Sequence, residues 1–134
     1  MGERLARALG PGSVVALYGG LGAGKTRLAK GIARALGVID TVVSPTYTIV
    51  CEYGALVRGR AVSLYHIDAY RLRGDEDFES AGALECLGGE GIAIIEWSER
   101  VPESIPDHAI KARIEVSGDQ SRVLRICAPA DMGL

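Results

Sequence analysis

The segment Ser13 to Tyr18 (SVVALY), then Gly19-Gly-Leu-Gly-Ala-Gly-Lys25-Thr26, then Arg27 to Gly37 (RLAKGIARALG), decides the fold. The first six residues form a short apolar run that reads as a buried strand. The next eight match GxxxxGK[ST], the pattern of a phosphate-binding loop. Beyond them Leu28, Ile32, Ala35 and Leu36 recur at helical spacing, with Gly37 as the stop, so the loop lies between a strand and an amphipathic helix. The chemistry requires that context. Gly19, Gly20, Gly22 and Gly24 let the backbone wrap closely around an anion, and the successive N–H groups of the loop, including those of Leu21, Ala23 and Arg27, point inward with the positive end of the helix. Lys25 is expected to set its ammonium against β- and γ-phosphate oxygens, and the Thr26 hydroxyl to ligate Mg²⁺.

Outward from the loop, an N-terminal helical pattern places Leu5, Ala8 and Leu9 on one side before Gly10, Pro11 and Gly12 end it. Downstream, 46–53 (TYTIVCEY) and 61–67 (AVSLYHI) are expected to form two antiparallel strands around a 54–60 connection. The run 75–87 (DEDFESAGALECL) starts acidic, as a helix N-terminus prefers, and is expected to carry Phe78, Leu84 and Leu87 inward. Ile92 to Ile95 is a continuous apolar strand that delivers Glu96 and Trp97 at its end. Alternation over 110–116 and a turn at Gly118-Asp119 predict a terminal hairpin with 123–127. The fold class is α/β: a P-loop NTPase-like mixed sheet with antiparallel hairpins, flanked by helices, in a single domain spanning 1–134.

Composition sets limits on function. The chain has 134 residues, 48% hydrophobic and 24% charged, which is globular and not disordered. Its net charge of −2 excludes holding nucleic acid or a membrane surface by bulk electrostatics. The charge is segregated, however: residues 68–107 carry 11 acidic and 3 basic side chains, residues 1–34 carry 6 basic and 1 acidic. Arg27, Lys30 and Arg34 make a basic helix face, where RNA would be met if it is touched at all; a solvated surface is the plainer reading. Cys51, Cys86 and Cys127 are isolated, without a CxxC pair, which fits a reducing compartment. Without a long apolar stretch or secretory core, the chain is expected to be soluble and cytoplasmic, with no membrane partner.

A magnesium–nucleotide site also needs a carboxylate at the end of a neighbouring strand. Glu96, after the more apolar strand, is favoured for the metal or its water shell; Asp68, after LYHI, is expected either beyond the metal's direct ligands or orienting the attacking water, with a helix or turn cap as its alternative. Thr46, in Ser44-Pro-Thr46, is either a switch threonine closing over the γ-phosphate or part of a plain turn. The sequence contains no asparagine, hence no Asn-Lys-x-Asp guanine motif, so ATP is the expected nucleotide.

Four segments in order, GGLGAGKT, SPTYT, YHIDAYRL and IAIIEWSERVP, give the chain its resemblance to the TsaE (YjeE-like) family, small bacterial ATPases of tRNA threonylcarbamoyladenosine biosynthesis. The resemblance implies a P-loop α/β fold, ATP hydrolysis, and association with the TsaB and TsaD proteins, through which tRNA is reached indirectly. It assigns Lys25 and Thr26 to the loop and Glu96 to magnesium, and it puts His66, Asp68, Tyr70 and Arg71 near the γ-phosphate or at the partner interface. For His66 the alternative is a strand histidine facing the core, and for Trp97 core packing. Arg122 is expected to approach the nucleotide base. Relative to the family pattern the chain begins at the N-terminal helix, without a preceding strand, and Gly20 and Arg27 replace an acidic residue and a threonine.

The expected function is ATP binding and slow hydrolysis, rising when partners dock, because the sequence offers no evident arginine finger or lid. A small-molecule kinase and a nucleotide-sensing module without meaningful hydrolysis are the alternatives.

Overall fold

The computed structural model describes residues 2–20, 24–39, 49–118 and 121–129. In chain order the elements are α1 (Gly2–Ala8), β1 (Val14–Tyr18), α2 (Lys25–Ala35), β2 (Val50–Val57), β3 (Arg60–Asp68), α3 (Asp75–Ser80), β4 (Ile92–Glu96), β5 (Ile110–Val116) and β6 (Arg122–Cys127). The six strands form one mixed sheet in the order β2-β3-β4-β1-β5-β6. β3, β4, β1 and β5 run parallel, while β2 and β6 close the edges as antiparallel hairpin partners.

Strand alternation divides the apolar residues between two cores. Val15 and Leu17 of β1 and Ile92 and Ile94 of β4 face α1 and α2, meeting Leu5, Leu9, Ala29, Ile32 and Leu36. Val14, Ala16, Ala93 and Ile95 face the other way, against Phe78, Ala83, Leu87, Val101 and Ile105. The central strands β1 and β4 are therefore buried on both faces, as their continuous apolar runs require. In α2 the buried stripe runs through Ala29, Ile32, Ala33 and Leu36, with Leu28 only partly covered and Ala35 exposed.

Two expectations are corrected. The first hairpin strand covers Val50–Val57, not 46–53, and the expected 54–60 connection shrinks to a turn at Arg58 and Gly59, whose φ values of 51° and 79° suit a tight two-residue hairpin. Leu56 points to solvent on that strand while Ala55 and Val57 point in, so an exposed leucine hides the alternation from sequence. Residues 46–48 lie outside the described part. The expected 75–87 helix ends after Ser80, because Gly82 takes a left-handed φ of 80° and a 3-10 turn, Ala83–Cys86, follows. That break resets the phase: Ala83 is buried with Phe78 and Leu87, and Leu84 is left 39% exposed. Among the described residues no helix is long and apolar enough to cross a membrane.

Candidate functional site

Parallel pairing brings the C-terminal ends of β1, β4 and β3 to one edge of the sheet, where α/β folds bind their ligands. The glycine loop leaves β1 there, and α2 returns from it. Gly24, at the helix start, has φ 106° and ψ 18°, a left-handed conformation that disfavours any side chain. Among the described residues no side chain caps α2, and its first turn carries no acidic residue, so the positive end of the helix is not neutralised from within.

Lys25, 5% exposed, folds back along the loop: Nζ donates to the carbonyls of Gly19 and Gly20 and lies 3.8 Å from the centroid of the Trp97 ring. Burial pushes its pKa below the ordinary lysine value, opposed by the carboxylates of Glu99, Glu96 and Asp68. The Thr26 hydroxyl donates to Glu96 Oε1 at 2.8 Å. Glu96, only 2% exposed, engages His66 Nε2 with its other oxygen at 2.5 Å. Alternation explains the meeting. Leu64 and Ile94 face α2, and two residues further on His66 and Glu96 share that side, directly below the start of α2.

Asp68 stands opposite Glu96 in the β3–β4 register, and its Oδ1 accepts the N–H of Tyr70 at 3.0 Å. Burial raises its pKa above the ordinary aspartate value; the Tyr70 N–H opposes this and the Glu96 carboxylate adds to it. Trp97 leaves β4 with φ 59°, unusual for a large side chain, and this turns its ring toward Lys25 and Tyr70, whose ring centroid is 4.8 Å away. Arg100 stacks over Tyr70 at 5.1 Å and lies 5.9 Å from the Trp97 ring.

The structure thus brings together Gly19, Gly20, Gly24, Lys25, Thr26, Glu96 and Asp68. Leu21, Gly22, Ala23 and Thr46 lie outside the described residues. Arg27 is exposed on α2 beside Lys30 and Arg34. Arg122 sits on edge strand β6 opposite Val116, three residues beyond the Tyr18–Arg113 pair, hence at the loop end of the sheet, with Nη1 donating to the Ser121 carbonyl. His66 is 1% exposed and turned onto Glu96. Sequence reasoning missed Glu99, whose carboxylate accepts the Gly19 N–H at 3.2 Å and pins the start of the loop.

The sequence model of the family described as threonylcarbamoyl adenosine biosynthesis protein TsaE matches residues 1–124. The chain belongs to the TsaE family. It is 42% identical to the tRNA threonylcarbamoyladenosine biosynthesis protein TsaE of Treponema pallidum, over 93% of this chain and 89% of that one. To the Bacillus subtilis protein of the same name it is 38% identical, over 88% of this chain and 71% of that one. The crystal structure of Bacillus subtilis YdiB superposes with a TM-score of 0.71 at 31% identity, covering 97% of this chain and 80% of that one. TsaE family proteins take part in making threonylcarbamoyladenosine in tRNA, and this chain carries their α/β sheet.

The raised Asp68 pKa yields a stability prediction for this TsaE-family chain. A carboxylate whose folded pKa exceeds its unfolded value binds a proton more readily when folded, so its contribution to stability falls as pH rises from 3.8 through the folded value. At neutral pH the charged form is a burden. Asp68→Asn, which keeps an oxygen for the Tyr70 N–H, is expected to raise the melting temperature at pH 7.5. The gain over the parent should shrink as the pH approaches 3.8, as thermal melts across pH would record.

Proposed function

We propose that the chain is a magnesium-dependent ATPase that serves threonylcarbamoyladenosine synthesis in the cytoplasm while docked on TsaB and TsaD. The observation that carries this reading is the contact between the Thr26 hydroxyl and the buried Glu96 carboxylate at the mouth of the glycine loop. The residues present fit the ion. Octahedral Mg²⁺ keeps its oxygen ligands at 2.0–2.1 Å, so neighbouring ligand oxygens lie about 2.9 Å apart, and Thr26 Oγ1 and Glu96 Oε1 are 2.8 Å apart.

Thr26 and Glu96 would hold the ion, which would supply charge neutralisation on the β- and γ-phosphates. The loop amides and the start of α2 grip the phosphate tail. Lys25 turns its ammonium from the Gly19 and Gly20 carbonyls to the β- and γ-oxygens. Asp68, one strand over, accepts a hydrogen bond from the attacking water. Arg122, at the loop end of β6, approaches the base. Turnover by the isolated chain is slow, because Lys25 must give up its carbonyl partners before it can act.

The test is phosphate release from ATP by the chain alone, with TsaB and TsaD, and with magnesium withheld. The reading expects slow magnesium-dependent release that rises with the partners. A rate the partners leave unchanged would refute the docking-dependent part. A phosphorylated metabolite as product would establish a kinase instead.

A further inference from the structure

Glu96 is a flexible side chain in a buried position, yet its two oxygens are assigned to different partners, Thr26 on one and His66 on the other. We propose that His66 is a positioning residue for the magnesium site: by donating Nε2–H to Glu96 Oε2 it fixes the carboxylate so that Oε1 faces Thr26. This deepens the reading of the site as a magnesium–nucleotide centre and rests on it.

Three observations point this way. His66 is 1% exposed and lies on β3, one strand away from β4, so the contact is built by the sheet and does not depend on a loop. Its Nδ1 has no hydrogen-bond partner among the described residues. A buried N–H without an acceptor costs more than a buried lone pair, so the proton belongs on Nε2, where it meets the carboxylate. His66 lies beside Ile94 in the β3–β4 register, two residues before Glu96 on the same face, so the imidazole reaches Oε2 from within the sheet.

The test uses full-length protein and the fluorescence of N-methylanthraniloyl-ADP, titrated in excess MgCl₂ and again in EDTA. Groups that orient a metal-binding side chain are worth about 10- to 100-fold in metal affinity. His66→Leu is therefore expected to weaken binding about 10- to 100-fold in magnesium, while affinity in EDTA changes by less than about twofold. Glutamine can set its amide N–H where Nε2 lies, and asparagine only where Nδ1 lies, so His66→Gln should recover magnesium-supported binding and His66→Asn should not. That pair decides the matter even if the leucine variant fails to fold. Equal losses with and without magnesium, or an asparagine variant as good as the glutamine one, would overturn the positioning role. If the parent protein itself gains nothing from magnesium, the reading of the site fails first and takes this inference with it.

Discussion

Lys25→Ala is expected to lower kcat/KM for ATP by about 10²–10³, the range found when one preorganised charge or donor is removed from a developing anion. The ammonium is nearly buried, and it rests on two loop carbonyls and the Trp97 face, close to where the phosphates are proposed to lie. Burial depresses its pKa, which means the charged form is held in the folded state at a cost that is felt throughout the neutral range. The variant should thus melt at pH 7.5 no lower than the parent while losing turnover, a combination that phosphate-release kinetics and thermal melts would establish together. A variant that loses both in proportion would make Lys25 a structural residue.

Glu96→Gln is expected to reduce magnesium-dependent turnover by about 10²-fold or more, since it removes the charge that faces the ion and leaves an amide of the same shape. The amide still offers one oxygen and one N–H, but it cannot accept from both Thr26 and His66, as the carboxylate does. Raising the magnesium concentration should restore part of the rate, which no increase in ATP at fixed magnesium should do. A saturation series in both ligands separates the two. Full activity in the glutamine variant would move the metal role to another acid, with Asp68 next in line across the β3–β4 register.

Much of this architecture is legible in the chain because its signals are local. The strand–loop–helix from Ser13 to Gly37 combines apolar periodicity with glycines at fixed offsets, and both survive folding unchanged. Ile92 to Ile95 reads as a doubly buried strand and is one, and Glu96 lands where its place after that strand puts it. The errors are where context decides. Gly82 breaks α3 by a backbone conformation that its neighbours do not announce, and the outward Leu56 disguises the alternation of β2. His66, Glu99 and Trp97 acquire their roles from a strand register and a left-handed turn, and sequence periodicity says nothing of which residue of β3 stands beside which of β4. For His66 the family resemblance gives a place near the γ-phosphate or at the partner interface, and the sheet buries it against Glu96.

The proposed function requires a nucleoside triphosphate at the start of α2 with a divalent ion beside Thr26 and Glu96. Calorimetric titration of ATP into the parent protein, in magnesium and in EDTA, tests it most directly. Saturable uptake of one ATP per chain is expected, tighter with magnesium than without it. No heat of binding in magnesium, from protein shown by a cooperative melt to be folded, would contradict it.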